Sequence, residues 1–178
     1  MRHNIVGALG FTSHRKNFNS WAIRTHTKSE FSHVFIVIGM LYGMPIVLEA
    51  DEGRVDINLM SKYTLNKDIK LELYDLNLDR ETLHSSIIEI TRKFEQVVYG
   101  HKQILGFGLE AVGWKRNPFR RGMICSELAI EYTRLRGVID GFEDINLVDP
   151  KEVRNLAISI EAEKIGEKQY RGTMSWKP

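Results

Sequence analysis

The feature of this sequence that most constrains its fold is a short apolar run followed by two turns. Every residue from Val34 to Ile38 is apolar and most are β-branched, which is typical of a strand covered on both faces. Tyr42-Gly43-Met44-Pro45 and Asp51-Glu52-Gly53 then have the composition of tight turns. The stretch predicts an antiparallel meander with strands over 34–38, 46–50 and 54–57.

Other segments add helices to this meander. Alternating and apolar runs predict strands, and apolar residues at spacings of three and four predict helices. An Asp before a helix can cap it, and a Gly can end it. These rules predict an α+β fold with strands over 5–12 and 69–76 and helices over 17–27, from Asp79 to near Gly100, over 124–137, and from Asp149 to about Ile160. We expect one domain over residues 1–160, followed by a polar C-terminal tail over 161–178.

Composition excludes several classes of protein. A net charge of +2 is too small to indicate a nucleic-acid partner. No apolar run approaches the roughly 20 residues of a transmembrane helix, so we expect no transmembrane segment. A single cysteine excludes a disulfide framework and a Cys-rich zinc site. The one basic cluster is either a solvated loop or an anionic-ligand site, and consists of Lys115, Arg116, Arg120 and Arg121.

The single cysteine, Cys125, is predicted to open a helix, where the helix dipole can stabilise a thiolate. His33 lies at the mouth of the apolar strand, and hairpin pairing can bring Glu49 beside it. A thiolate, a base and a group that orients the base are what acyl transfer through a thioester requires. The backbone N–H of Cys125, in the first helical turn, would be one oxyanion donor.

Each of these residues has another interpretation. Cysteine is among the residue types most often buried, so Cys125 can be an inert core residue. His33 can be a polar residue at a strand end. The three side chains of His33, Glu49 and Cys125 could also bind zinc, but the sequence lacks the close ligand pair usual in zinc sites. We therefore expect neither a metal nor another cofactor.

Four segments together resemble a known family. They are residues 20–34, which end in Ser32-His33-Val34; Val47-Leu48-Glu49-Ala50; Cys125-Ser126-Glu127-Leu128; and Val148-Asp149-Pro150. In this order they resemble the permuted NlpC/P60 papain-like hydrolases, in particular the YiiX-like branch. The resemblance implies a circularly permuted papain-like fold, with a central antiparallel sheet packed against helices and the Cys125 helix abutting the sheet. It implies Cys125 as nucleophile, His33 as general base and acid, and Glu49 as orienting residue.

The resemblance also implies an activity. We expect a Cys-His-Glu hydrolase of amide or ester bonds, an amidase or peptidase for which cell-wall peptides are candidate substrates. An acyltransferase, a lipid- or ester-acting enzyme of the same fold, and a catalytically silent binding or virion module remain alternatives. Many members carry a signal or membrane segment, whereas His14, Arg15 and Lys16 interrupt the apolar N-terminus here. We therefore expect a cytoplasmic or a phage- or virus-associated protein, with a specificity loop over 107–114.

Overall fold

The computed structural model describes residues 5–51, 54–77, 79–94, 125–138 and 148–177. Within these ranges, seven strands form one antiparallel sheet in the order β4-β3-β2-β1-β5-β6-β7. The strands are β1 (Leu9–His14), β2 (His33–Leu41), β3 (Met44–Asp51), β4 (Arg54–Leu59), β5 (Ile69–Asp75), β6 (Glu163–Lys168) and β7 (Ser175–Trp176).

The described residues also form five helices. They are α1 (Phe18–Thr27), α2 (Ser61–Thr64), α3 (Arg80–Phe94), α4 (Cys125–Leu135) and α5 (Pro150–Ser159). Four of them match predicted helices, whereas α2 was not predicted. The predicted continuation of α3 to near Gly100, the basic cluster and the predicted specificity loop over 107–114 lie outside the described residues.

Side chains and a glycine terminate three of the helices, two of them at the predicted residues Asp149 and Gly137. The Asn17 side chain accepts a hydrogen bond from the Ser20 backbone N–H at 3.0 Å. Asp149 forms a full capping box with Glu152 at the start of α5, which satisfies backbone donors that have no partner inside the helix. At the end of α4, Gly137 adopts a φ of 68°, the left-handed conformation that commonly terminates helices.

The first strand begins later than predicted. The sequence predicts a strand over 5–12, but β1 spans Leu9–His14. Gly7 has a φ of 93°, which interrupts extended backbone and which only glycine adopts readily. Gly7 also lies close to α4, since its carbonyl oxygen accepts a hydrogen bond from the Tyr132 hydroxyl at 3.1 Å.

The predicted meander is present, with one irregularity. Strands β2, β3 and β4 pair consecutively as antiparallel neighbours. Val37 pairs with Val47 and Gly39 pairs with Ile46, so Ile38 is an extra residue on β2. This is a β-bulge, in which two residues of one strand oppose one residue of its neighbour.

Helix α4 packs into the core beside the meander. Its buried residues join a cluster with apolar residues of β1, β2 and β3, which includes Leu9, Phe11, Val34, Ile36, Leu48, Leu128, Ala129, Ile130 and Tyr132. A second cluster contains Phe35, Val37, Val47 and Tyr63. Because alternate residues of β2 belong to different clusters, both faces of this strand are covered, as its apolar run predicts.

The C-terminal segment differs from its prediction. The sequence predicts a polar tail over 161–178, but β6 and β7 extend the sheet here beyond β5. Ile165 is fully buried, and Lys168 is buried with its Nζ donating to the carbonyl oxygens of Asn66 and Ile69, each at 2.6 Å. A long polar side chain thus takes a core position because its charged end finds backbone acceptors.

No helix in the described part of the chain combines the length and the hydropathy that a membrane crossing would need.

We expect Ile165→Ala to lower the free energy of unfolding by about 2–5 kcal/mol, the range for truncating a fully buried isoleucine. Ile158→Ala is the matched control, because Ile158 lies on α5 with much of its side chain exposed. Urea unfolding of both variants measures the difference. Equal, small losses in the two variants would mean that β6 does not belong to the folded core.

Candidate active site

The site is built around a buried carboxylate on β3, the central strand of the meander. Glu49 lies near the end of β3, between β2 and β4, and its side chain is 0% exposed. An ionised carboxylate in such a position is costly unless it is paired and hydrogen-bonded. The surrounding donors therefore decide whether this residue can remain charged.

Four donors meet the two oxygens of Glu49. Oε2 accepts from His33 Nε2 at 2.8 Å and from the Tyr63 hydroxyl. Oε1 accepts from Asn58 Nδ2 at 3.0 Å and from Lys62 Nζ at 3.1 Å. Each oxygen therefore has two partners, and two of the donors belong to residues that can carry a positive charge.

These contacts keep Glu49 ionised. Burial acts to raise the pKa of Glu49, but the hydrogen bond and charge of His33, the charge of Lys62 and the hydrogen bond from Tyr63 outweigh it and lower the pKa to about 2. Burial and the neighbouring carboxylate raise the pKa of Tyr63 well above its ordinary value. The Tyr63 hydroxyl therefore stays protonated and serves as a donor.

His33 is the first residue of β2 and reaches Glu49 diagonally. The residue directly opposite Glu49 is Phe35, two positions further along the strand. Because side chains alternate between the faces of a strand, His33 and Phe35 share the face on which Glu49 lies. The simple hairpin rule predicts a neighbour directly across the strands, whereas the observed contact is the diagonal one.

The His33 ring lies between the Glu49 carboxylate and the Cys125 sulfur, and both groups favour its protonated form. Burial acts to lower the pKa of His33, but the neighbouring Cys125, through its charge and a hydrogen bond, and Glu49, through the same two interactions, raise the pKa to about 10. Since Nε2 bonds to Glu49, Nδ1 is the ring nitrogen left for the sulfur. The raised pKa favours an imidazolium between the Glu49 carboxylate and the Cys125 sulfur.

Cys125 is placed by the helix that it opens. It is the first residue of α4, and it is a free, buried thiol. The next residue, Ser126, is fully buried and its hydroxyl donates to the Val148 carbonyl oxygen at 2.5 Å. This bond holds the first turn of α4, which includes Cys125, against the segment that leads into α5.

Three residues of the site escaped the sequence prediction. Asn58 is a half-buried residue near the end of β4. Lys62 and Tyr63 belong to α2, a helix of four residues, which is too short to show a helical period in the sequence. Tyr63 is positioned by the Phe35 ring, on which it stacks with 4.8 Å between centroids. A lysine followed by a tyrosine shortly after a strand is the signal that could have drawn attention to Lys62 and Tyr63.

A zinc site was the other chemical interpretation of these residues. In the part of the chain that the structure describes, no group of three or more His, Cys, Asp and Glu side chains is arranged to hold a metal ion. The contacts of Glu49 are with donors, and both of its oxygens are already engaged. The site residues therefore give no positive support for a resident metal.

Comparison with known proteins identifies the fold through structure alone. No family model matches the sequence, and no curated protein matches it. A similar solved structure is the crystal structure of the metalloprotein YiiX from Escherichia coli O157:H7, a protein described as DUF1105. The two chains are 19% identical and superpose with a TM-score of 0.54, over 97% of this chain and 88% of YiiX. The chain has an α+β fold like that of YiiX.

Proposed function

We propose that the protein is a cysteine hydrolase of amide or ester bonds, with a fold of the permuted NlpC/P60 papain-like type. Cys125 is the nucleophile, His33 the general base and acid, and Glu49 the residue that orients His33. The observation that carries this proposal is the His33 ring, held between the buried Glu49 carboxylate and the Cys125 sulfur with its pKa raised to about 10. The order histidine, acid, cysteine along the chain supports it.

The first half of the reaction uses the Cys125 thiolate and the His33 imidazolium. The Cys125 thiolate attacks the acyl carbonyl carbon and forms a tetrahedral intermediate. The Cys125 backbone N–H, which lacks a partner within the helix because it lies in the first turn of α4, is positioned to stabilise the oxyanion. His33 then donates its Nδ1 proton to the departing amine or alkoxide, and a thioester with Cys125 remains.

The second half releases the acyl group. Neutral His33 removes a proton from water, the resulting hydroxide attacks the thioester carbonyl, and the Cys125 thiolate departs as the carboxylic acid forms. Throughout the cycle, the Nε2 bond to Glu49 keeps the ring aligned with the sulfur. Cell-wall peptides are our candidate substrates. An amine or alcohol in place of water would make the same site an acyltransferase.

We expect Cys125 in the folded protein to react with iodoacetamide faster near pH 7 than it does in the denatured protein, because an adjacent imidazolium favours the reactive thiolate. Replacing the imidazole in His33→Ala should slow alkylation near pH 7 by about tenfold, since most of a free thiol with a pKa of about 8.5 is then protonated. Mass spectrometry measures the rate directly, because Cys125 is the sole cysteine.

The control for alkylation is the same protein denatured in guanidinium, in which the thiol has lost its partner. A native protein that alkylates with the pH dependence of the denatured one would exclude the proposed ion pair. A native protein that is not alkylated at all, although folded and incubated for hours, would favour the inert-core interpretation of Cys125.

We expect Glu49→Gln to lower the pKa of His33 by about one pH unit or more, because it removes a carboxylate charge from the imidazole. NMR titration of the His33 ring measures this. Asp51→Asn is the matched control, since Asp51 also binds Lys62, at 2.6 Å, but is not among the groups that raise the pKa of His33. The proposal fails if both substitutions shift His33 equally.

The shifted pKa values of His33 and Glu49 predict how the free energy of unfolding depends on pH. His33 has a raised pKa, so its contribution to the unfolding free energy is fully present below about pH 6.5 and is lost as the pH rises through about 10. Glu49 has a lowered pKa, so its contribution is present above about pH 4.5 and is lost as the pH falls through about 2. The stability difference between wild type and Glu49→Gln should therefore narrow at both extremes.

We expect an acyl adduct on Cys125 when the protein is mixed with activated esters and short peptide amides and quenched in acid. Mass spectrometry locates the adduct, and hydroxylamine should release it, as it does a thioester. Cys125→Ser should form no such adduct while keeping its unfolding midpoint. Added amines or alcohols that yield acylated product in place of free acid would assign the transferase activity. Turnover that survives in Cys125→Ala would exclude Cys125 as nucleophile.

A further inference from the structure

A strongly basic segment precedes the site residue His33. Residues 14–28 contain four lysines and arginines and no acidic residue, although the whole chain has a net charge of only +2. The four are Arg15, Lys16, Arg24 and Lys28, of which Arg15, Lys16 and Lys28 are exposed. The net charge of the segment therefore exceeds the net charge of the entire chain.

The helix within this segment presents two aromatic side chains to solvent. Phe18 is 72% exposed and Trp21 is 54% exposed, and their ring centroids lie 5.5 Å apart. Ser20, on the opposite side of α1, is buried. Residues 18, 21 and 25 recur at the spacing of one helix face, and all three are exposed. Lys28, the residue that caps the end of α1, is exposed as well.

A neighbouring loop extends this surface. Leu65 is 83% exposed and Lys67 is exposed. The loop lies beside the start of α1, because the Arg15 backbone N–H donates to the Asp68 carbonyl oxygen at 2.8 Å. Asp68 is the one acidic group of this loop, and Lys16 pairs with it at 3.0 Å. We call Arg15, Phe18, Trp21, Lys28, Leu65 and Lys67 the α1 surface.

The α1 surface and the candidate active site lie at the same end of the sheet. Ser20 Oγ is 2.6 Å from Ser32 Oγ, and Ser32 directly precedes His33. On the other side, Leu65 follows the helix that supplies Lys62 and Tyr63 to Glu49. The surface therefore adjoins the site on both sides.

We propose that the α1 surface docks on a bilayer that contains anionic phospholipids. Tryptophan and phenylalanine enter the boundary between headgroups and acyl chains, while lysine and arginine attract anionic headgroups. The α1 surface offers both, on a short amphipathic helix with no acidic residue in its segment. Docking in this way holds the end of the sheet that bears His33, beside which Cys125 lies, against the membrane. The proposal is independent of the proposed catalysis, because binding does not require turnover.

The test is flotation of the full chain with vesicles of phosphatidylcholine alone or mixed with phosphatidylglycerol. We expect binding to the mixed vesicles, weak binding to phosphatidylcholine alone, and release by added salt, because screening weakens the attraction. The double variant Phe18→Ala, Trp21→Ala should bind about tenfold more weakly. Arg15→Gln with Lys28→Gln should abolish the preference for phosphatidylglycerol. Circular dichroism and unfolding midpoints check that the variants remain folded.

The matched control is Tyr42→Asn, which removes an exposed aromatic side chain at the far end of β2 and should leave binding unchanged. Loss of binding in this control with retention in the Phe18 and Trp21 double variant would overturn the proposal. Equal binding to both kinds of vesicle, or to neither, would also overturn it. A salt-insensitive dimer that dissociates in the double variant, without vesicle binding, would assign the surface to a second copy of this chain instead.

Discussion

A single buried charge imposes the strictest requirement on this structure. The carboxylate of Glu49 is ionised inside the sheet because His33, Lys62 and Tyr63 lower its pKa. Asn58 donates a fourth hydrogen bond to it. These donors come from β2, β4 and α2, so three elements must be correctly placed before the charge is compensated. Leaving a buried ion without its partners costs several kcal/mol, and this penalty disfavours alternative arrangements of the meander. The interaction that orients His33 is thus also one that selects the fold.

The position of Tyr63, one of the Glu49 donors, depends in turn on an aromatic ring and a glycine of the sheet. Gly10 pairs with Phe35, and a Cβ atom on Gly10 would lie 2.1 Å from a ring carbon of Phe35. The missing side chain lets the Phe35 ring lie over β1, where it supports Tyr63 by stacking. Tyr63 in turn donates to Glu49. A glycine on β1 therefore contributes to the site without touching any of its polar atoms.

The sequence predicted those elements that are specified by a few neighbouring residues. The apolar run of β2, the turn at Tyr42 and Gly43, the Asp149 cap and the stripe of α4 all reside in short windows, and the structure forms each of them. Strand β6 and helix α2 depend on partners far along the chain. Glu163–Lys168 contains one large apolar residue, Ile165, and its buried Lys168 is stable only because the carbonyl groups of Asn66 and Ile69 are nearby. The Glu49 donors from α2 were missed for the same reason.

The bulge on β2 decides which side of the sheet carries the charge. At the turn, Leu41 pairs with Met44, and the pairing continues in that register as far as Gly39 and Ile46. Continued without interruption, it would place Glu49 opposite Ile36 and turn its carboxylate to the other face, away from His33. The extra residue, Ile38, moves the register by one and returns Glu49 to the His33 face. Whether these two side chains share a face thus depends on whether the number of residues that separates them along the paired strands is odd or even. A related chain could gain or lose two residues in one strand between His33 and Glu49 without turning either side chain to the other face of the sheet. The gain or loss of a single residue would turn one of them away, unless another bulge compensated for it.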